Sequence, residues 1–459
     1  MPTVQEVLNQ GWTIQQQGNY AAAEKVYRHV LQQAPGSAAG WCYLGIALYD
    51  QRRFEESEAS YRKAIALQNH FPIAWNNLGN TLRMLGQVEG ADQAFESALQ
   101  QDPNYLSPLK NRGTLWVWTG QIDRGLAAFE SALKVAPHDA ELHRNLGVIH
   151  LLKGDFHRGW DEYRWRWQMP GFVRPNVTQP VWDGSDPQGK TFLLYSEQGL
   201  GDAIHFVRMA ITLKERGART IVQAAPKLIP LLSTCRGIDQ LIPEGMLPAR
   251  FDFHCSFIDA ADRLGIDAES IPDVGPYLGP PENLQGYWAN WLAQLPGKKK
   301  VGICWQGNPQ HQADIFRSIP LQAFEPLASI PDVQLVCLQH GFGIQQLDQV
   351  GFANQIVRLP ANLDQSSGAF MDTAAIMKGL DLVVTSDTSV AHLAGALGVP
   401  VWVGLPKVPD WRWLLQGETS PWYPSMRLFR QPEMKNWAAV MAEIELHMKQ
   451  TESRSSVPL

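Results

Sequence analysis

The stretch "DLVVTSDTSVAHLAGALGVPVWVGL", residues 381–405, combines residue types that hold a phosphate on backbone amides. An apolar strand is predicted to end at Thr385, and a helix rich in alanine and glycine follows from about residue 390. The turn between them consists of Ser386, Asp387, Thr388 and Ser389. Free amides and hydroxyls at a helix start bind anions, and His392 in the first turn would point towards the same place. We therefore expect a diphosphate site at 386–392.

Each of these residues also has a structural interpretation. Aspartate or serine at a helix start is commonly an N-cap, and a histidine near an apolar helix is often structural. The clustering of these residues directly after one apolar strand favours the anion site.

A second stretch, "EQGLGDAIHF" at 197–206, follows the apolar run "TFLLYS". Its strand, glycine-bearing turn and helix have the layout of a phosphate cradle, yet it carries Glu197 and Asp202 and no lysine. We expect Gly199 and Gly201 to bring the backbone close to a cleft and to position Asp202 at the start of the helix. The helix dipole there is expected to lower the pKa of Asp202, which would make it a weaker base.

Other candidates lie near predicted strand ends. Gln306 and Asn308 follow "VGICW", His340 ends "CLQH", and Arg317 precedes a proline-containing helix start. The segment "DWR", 410–412, is a candidate for the same cleft. For Trp411 two interpretations stand: stacking on a base or sugar, or packing in the core.

The elements that must position these residues alternate between strands and helices from about residue 190. Eight short, often β-branched runs are predicted strands, and helix-like stretches lie between many of them, which predicts parallel sheets with crossover helices. Ligands of such sheets bind at the carboxyl ends of the strands. We assign one α/β domain to 191–290, a second to 291–445, and a tail to 446–459.

The first third repeats every 34 residues. The period links glycines and aromatic residues: Gly11, Gly45, Gly79, Gly113 and Gly147, and Tyr27, Tyr61, Phe95, Phe129 and Tyr163. A small residue facing a large one lets two helices approach closely. The pattern resembles the tetratricopeptide repeat and implies an α-solenoid of about five repeats over 1–170, with a linker at 171–190.

Asparagine recurs in the same register, at Asn9, Asn77, Asn111 and Asn145. An asparagine ladder can hydrogen-bond a peptide backbone of any sequence, and this one looks like the ladder of repeat-bearing O-linked sugar transferases. The alternative is ordinary polarity of a helix surface.

Composition limits the function classes. The chain has 459 residues and a net charge of −6, which argues against broad nucleic-acid binding. Its five cysteines lack CxxC spacing, so we expect buried thiols in a reducing compartment. No apolar stretch approaches 18 residues, so we expect no transmembrane segment and a cytoplasmic location.

The motifs "SDTSVAHLAGALGVPVW", "EQGLGDAIHF" and "GNPQHQADIFRSIPLQAFEPL" resemble those of glycosyltransferase family nine, the bacterial ADP-heptose:lipopolysaccharide heptosyltransferases. The likeness covers about 190–440. It implies an α + α/β chain in which the solenoid precedes a GT-B-type pair of Rossmann-like domains, the first for the acceptor and the second for the donor. It also implies that Asp202 is the general base and that Arg317, Asp387, Thr388, Ser389 and His392 bind the donor diphosphate.

Two functions follow as expectations. The first is an inverting, metal-independent glycosyltransferase that uses a nucleotide-diphosphate sugar and recruits a protein or peptide through its repeats. The second is a catalytically inactive nucleotide-sugar-binding protein or repeat scaffold. The sugar, the nucleotide base and the acceptor stay open.

Overall fold

The computed structural model describes residues 2–311 and 313–455, with side chains described up to residue 450. The chain divides into two compact units, Met1–Leu146 and Gly147–Leu459. The division falls inside the stretch assigned to the repeats, because the last repeat contributes its second helix to the second unit.

The first unit consists of paired helices. They are α1 (Val4–Gln16), α2 (Tyr20–Gln33), α3 (Ala38–Asp50), α4 (Phe54–Leu67), α5 (Pro72–Met84), α6 (Val88–Gln101), α7 (Leu106–Trp118) and α8 (Ile122–Val135), with α9 (Ala140–Leu152) crossing the boundary. The first helix of most pairs ends at a glycine with positive φ: Gly18, Gly86, Gly120 and Gly154. Glycine adopts this left-handed conformation without steric cost, so it ends each helix and turns the chain into the next one.

The repeated glycines make room for the repeated aromatic rings. A Cβ on Gly79 would lie 2.5 Å from Cε1 of Phe95, and a Cβ on Gly113 would lie 2.6 Å from Cε1 of Phe129. The last repeat differs, because a Cβ on Gly147 would meet the backbone nitrogen of Tyr163 at 2.5 Å. The ring of Tyr163 is therefore free to take another position.

The second unit begins with the end of α9, α10 (Phe156–Tyr163) and a 3-10 helix (Arg164–Gln168). Its first sheet contains β1 (Thr191–Tyr195), β2 (Arg219–Ala224), β3 (Gln240–Pro243) and β4 (Phe253–Ser256), in the order β3-β2-β1-β4. All its neighbouring strands run parallel. The helices around it are α11 (Leu200–Phe206), α12 (Arg208–Glu215), α13 (Ile229–Leu232) and α14 (Phe257–Arg263), followed by α15 (Glu282–Ala293).

The second sheet is also parallel throughout, in the order β10-β9-β8-β5-β6-β7. Its strands are β5 (Lys299–Cys304), β6 (Val333–Cys337), β7 (Ile356–Val357), β8 (Leu382–Ser386), β9 (Val401–Leu405) and β10 (Met426–Arg430). Its helices are α16 (Asp314–Arg317), α17 (Glu325–Ala328), α18 (Met371–Lys378), α19 (Ser389–Leu397) and α20 (Trp437–Ser455). Further short 3-10 helices are Pro226–Leu228, Leu321–Phe324, Ile344–Asp348, Ala353–Gln355 and Trp411–Trp413.

The expectation of parallel sheets after the solenoid is confirmed, and two strands are additional to those expected from the sequence. These are β3 and β10, both edge strands. Helix α20 continues through residue 446, the expected start of the tail, because its apolar residues at helical spacing are buried in the core of the second sheet; these are Val440, Met441, Ile444 and Met448. Within the described residues, helices that combine the length and the apolar character needed to cross a membrane are absent.

Candidate functional site

The carboxyl ends of the two sheets bring Asp202 and Arg412 together. Asp202 lies in the first turn of α11, directly after β1, and Arg412 follows β9. Arg412 Nη2 donates to Asp202 Oδ1 at 2.5 Å, and Nη1 donates to Asp410 at 2.7 Å. The second Asp202 oxygen accepts from the backbone N–H of Gly199 at 3.0 Å, which caps α11. One guanidinium thus joins carboxylates from both halves of this unit.

Gly201 permits the close approach of α11 to α19. A Cβ at this position would lie 3.1 Å from Cδ2 of His392 and 3.5 Å from Cα of Ser389. The first of these distances is tighter than an ordinary side-chain contact, so the glycine brings the Asp202 turn beside the start of α19.

The expected lowering of the Asp202 pKa is wrong. Burial raises the pKa of the carboxyl above its ordinary value, and the positive charge of Arg412 opposes the rise without cancelling it. Desolvation disfavours the charged form of a carboxyl, and here it exceeds the attraction of the cation. Asp202 is therefore a better proton acceptor than a helix N-terminus alone would allow.

Most of the turn between β8 and α19 is buried. Ser386, Asp387 and Thr388 are buried, and Thr388 occupies the N-cap position in an extended conformation without a side-chain capping bond. Its hydroxyl instead lies 3.4 Å from that of Thr385. The Ser386 hydroxyl is buried and makes no hydrogen bond among the described residues. The amides at the start of α19 are thus left without a capping side chain.

Arg317 lies at the end of α16 beside the same turn. Its Nε is 3.5 Å from an oxygen of Asp314, and its guanidinium fills the space that a side chain at Gly307 would need, with Nη2 at 2.7 Å from the added Cβ. Burial, and then the charge of Asp410, raise the pKa of Asp387, while Arg317 acts in the opposite direction. Among the described residues, Nε of Arg317 and Nε of Arg412 are buried without a hydrogen bond.

His392 lies in the first turn of α19 among aromatic and histidine side chains. Its ring is stacked on Trp413 with centroids 5.1 Å apart, and its Nδ1 lies 3.1 Å from Nδ1 of His205 and 3.2 Å from the Tyr423 hydroxyl. Burial, together with the nearby Arg412, lowers the pKa of His392 to about 3. The imidazole is therefore neutral at physiological pH and contributes no positive charge to a phosphate.

Three further candidates differ in how far their side chains are engaged within the protein. Gln306 accepts a hydrogen bond from Gln346 at 2.9 Å, so its side-chain oxygen is occupied within the protein. Asn308 accepts from the N–H of residue 310 in a turn, and His340 is exposed after β6. The loop after β5 is held by buried Gln339, which the sequence did not single out; its amide bonds Trp305 and both backbone groups of Gln306.

Trp411 packs in the core, the second of its two interpretations. It is 1% exposed, and its ring contacts those of Phe156, Trp160, Tyr163 and Phe206. The ion pairs of this segment are made by the neighbouring Arg412 and not by Trp411. Its pairing with Asp202 joins positions 210 apart in sequence, which no local motif signals.

The recurring asparagines of the first unit form hydrogen bonds with neighbouring side chains. Asn111 donates to Asn76 at 2.9 Å, and Asn76 donates to Asn77 at 3.2 Å. Asn9 accepts from Gln5, and Asn145 accepts from Arg144. Hydrogen bonds within the protein therefore use part of the donor and acceptor capacity of these amides.

The helical region matches a known family. Residues 8–70, 44–105 and 119–158 match the tetratricopeptide repeat model. These residues are tetratricopeptide repeats. The crystal structure of MamA, 19% identical, covers 34% of this chain and 92% of its own with a TM-score of 0.31. The tetratricopeptide protein TTC0263 of Thermus thermophilus, 17% identical, covers 37% of this chain and 92% of its own with a TM-score of 0.34.

The alignment with one curated relative is longer than the repeat region. Protein FlbA of Caulobacter vibrioides is 26% identical over an alignment of 316 residues, which covers 62% of this chain. The chain spans about half of FlbA, since the alignment covers 51% of that protein.

Proposed function

We propose that this protein is an inverting glycosyltransferase that moves a sugar from a nucleotide-diphosphate sugar to an acceptor hydroxyl. The observation that carries the proposal is the meeting of Asp202 with Arg412 at the carboxyl edges of two parallel sheets, with Arg317 and the uncapped start of α19 beside it. Such edges are where α/β sheets bind their ligands. A base and a cationic phosphate site side by side are what glycosyl transfer requires.

The reaction would be a single displacement. The acceptor oxygen forms a bond to the anomeric carbon while the bond from that carbon to the diphosphate oxygen breaks, and the electron pair leaves with the diphosphate. The acceptor proton passes to the Asp202 carboxylate. One displacement without an enzyme-bound intermediate inverts the anomeric centre.

Arg412 links the two halves of this chemistry. Its guanidinium is shared between Asp202 and Asp410, and its Nε makes no hydrogen bond within the described residues. A diphosphate bound to this guanidinium would weaken its electrostatic stabilisation of the Asp202 carboxylate. This would raise the pKa of Asp202 further and make it a stronger base when the donor is present.

The positive charge for a diphosphate would come from two side chains and a helix start. Arg317 and Arg412 supply two positive charges, and the amides of Ser389 and Val390 at the start of α19 add partial positive charge. Burial raises the pKa of Asp387 only to about 6, so its carboxylate is charged near neutral pH and offsets part of this positive charge. We expect turnover without a divalent ion, because the arginines take the role of the cation; activity retained in EDTA tests this.

A thermal-shift panel of ADP, GDP, UDP and CDP tests donor binding. We expect at least one of them to raise the melting temperature, by an amount equivalent to about 2.7 kcal/mol at a hundred times its Kd. Arg317→Ala should lose most of this shift. Lys298→Ala is the matched control, because it removes one exposed positive charge at the opposite, amino end of β5. A panel without any stabilisation of the wild type would overturn the proposal.

Hydrolysis of the labelled nucleotide sugars tests the base. Asp202→Asn should lower kcat by about 10²-fold or more, the usual contribution of a general base, while the thermal shift with the nucleotide stays. Turnover unchanged by this substitution would remove Asp202 from the mechanism.

The second candidate is a nucleotide-sugar-binding protein without turnover. The observation in its favour is that Asp202 is already bonded to both Arg412 and the Gly199 N–H, so its two oxygens are engaged. A nucleotide shift in the wild type, combined with no hydrolysis or transfer of any labelled donor, would support it.

For the repeats we propose recruitment of a protein or peptide. The partly exposed amides of Asn77, Asn111 and Asn145 can donate to and accept from an extended backbone. A peptide array probed with the full chain should lose signal in Asn77→Ala and keep it in Asn308→Ala, whose asparagine is outside the repeats.

A further inference from the structure

The last repeat contacts the loop that carries Asp202. This loop runs from the end of β1 to the start of α11 and contains Glu197, Gln198 and Gly199. Its conformation decides where Asp202 lies, because the Gly199 N–H bonds the Asp202 carboxylate at 3.0 Å. The two preceding residues are bonded to side chains of α10 and the 3-10 helix after it.

Arg166 holds Glu197 in a buried, two-point ion pair. Its Nε and Nη2 donate to the two Glu197 oxygens at 2.6 and 2.8 Å, and Nη2 also donates to Asp259 at 2.6 Å. The side chains of all three residues are at most 6% exposed. Planar two-point pairing fixes orientation as well as distance, which a single bond does not.

Tyr163 holds the next residue of the loop. Its hydroxyl accepts a hydrogen bond from Gln198 Nε2 at 3.0 Å, while its ring packs against Trp411, the residue before Arg412. In the earlier repeats the aromatic at this position fills the space over a glycine, as Tyr61 does over Gly45. Tyr163 occupies the same repeat position, yet it contacts both the Asp202 loop and the segment of Arg412.

We propose that Tyr163 and Arg166 are positioning residues for the Asp202–Arg412 pair. They fix the loop through Gln198 and Glu197 and thereby hold Asp202 at its place beside Arg412. The last repeat is thus part of the site and not only a connection to it. This inference rests on the proposed function for its catalytic consequence, but the restraint on the loop can be measured without activity.

Hydrogen exchange of the segment 197–206 in the full chain is the primary test. Tyr163→Phe removes only the hydroxyl, and loss of its one partly buried hydrogen bond to Gln198 should speed exchange of this segment about fivefold. Tyr27→Phe is the matched control: Tyr27 has the same repeat position and its hydroxyl donates a buried bond to Gln15 at 3.0 Å. That variant should leave exchange of 197–206 unchanged.

A second pair of variants tests Arg166. Arg166→Lys keeps the charge and loses the two-point geometry, so exchange of 197–206 should rise about tenfold. Arg164→Lys is its control, because Arg164 makes a comparable two-point pair with Asp262, at 2.6 and 2.7 Å, without contacting the loop. Equal exchange of 197–206 in Tyr163→Phe and wild type would overturn the proposal, as would equal acceleration in Arg164→Lys and Arg166→Lys.

The kinetic constants distinguish a positioning role from a purely structural one. Tyr163→Phe should lower kcat about fivefold with an unchanged KM for the donor, because only the base is displaced. If the wild type turns over no donor, the glycosyltransferase proposal fails, and the exchange result alone decides whether the loop is held from the last repeat.

Discussion

Substitution of His392 by glutamine should make the stability of the second unit less sensitive to acid. In the wild type, His392 shares its Nδ1 with His205 and the Tyr423 hydroxyl, and its ring lies on Trp413. Burial and the surrounding arginines lower its pKa to about 3, from an ordinary value of 6.5 in the unfolded chain. Glutamine is neutral at every pH used and retains a hydrogen-bonding amide.

The sign and size follow from linkage. A group whose pKa is lowered by folding binds protons more weakly in the folded state, so its contribution is complete above pH 6.5 and is lost as the pH falls. At about pH 5.0, roughly 1.5 units below the ordinary value, protonation of the unfolded histidine costs about 2 kcal/mol of stability, at about 1.36 kcal/mol per unit. The wild type should therefore lose about 2 kcal/mol more than His392→Gln between about pH 7.5 and 5.0.

The free energy of opening of α19 is the quantity to measure. Amide exchange of 389–397, corrected for the intrinsic rate at each pH, reports it for this helix alone, which avoids assuming that the two units unfold together. Acidic residues also titrate in this interval, but they contribute equally to both proteins and cancel in the comparison. His340→Gln is the matched control, since His340 is exposed and lies outside the pair.

The expected result is a rise in the exchange of 389–397 about thirtyfold greater in the wild type than in His392→Gln, the equivalent of about 2 kcal/mol. The same rise in both proteins would refute the reasoning, because it would mean that His392 is as easily protonated in the folded chain as in the unfolded one. His340→Gln should follow the wild type.

Three other predictions concern single side chains. Burial raises the pKa of Asp387, so ionisation of this carboxyl opposes folding at pH values above its ordinary pKa and not below it. Asp387→Asn should therefore raise the melting temperature by about 3 °C at about pH 7.5 and by less at about pH 4. Gly79→Ala places a Cβ 2.5 Å from the facing ring and should cost about 1–3 kcal/mol in urea unfolding. A Cβ on Gly90 would have its nearest neighbouring atom at 3.4 Å, so the higher helix propensity of alanine should maintain or raise stability in Gly90→Ala. A loss of stability equal to that of Gly79→Ala would contradict the packing argument. Arg430 donates to backbone carbonyls within 413–417, so Arg430→Met should expose that segment to chymotrypsin, and an unchanged digest would show that those bonds do not hold it.

Much of the candidate site was accessible from sequence because its parts are local. The turn at 386–389 follows an apolar strand and precedes a helix of small residues, and the structure has β8, the turn and α19 at those places. The glycines around Asp202 likewise predicted a strand, a tight turn and a helix. These features depend on neighbours within a few residues, which the sequence lists in order.

The environment of other candidates depends on distant neighbours. His392 is expected at the phosphate turn, but its protonation state is decided by burial against Trp413 and by proximity to His205, 187 positions away. Gln306 looked like a donor contact, but Gln346 occupies its oxygen. Desolvation and pairing are properties of the folded environment, and a motif does not contain them.

The repeats and the parallel sheets follow from the sequence alone, because a period of 34 residues and alternating apolar runs are contained directly in the order of the residues. The pairing of Arg412 with Asp202, and the bonds from Arg166 and Tyr163 to the loop beside them, depend on the tertiary structure. The physical reason is that ion pairs form between whichever charged groups the packing brings within about 4 Å, and their strength and pKa depend on how much water that packing excludes.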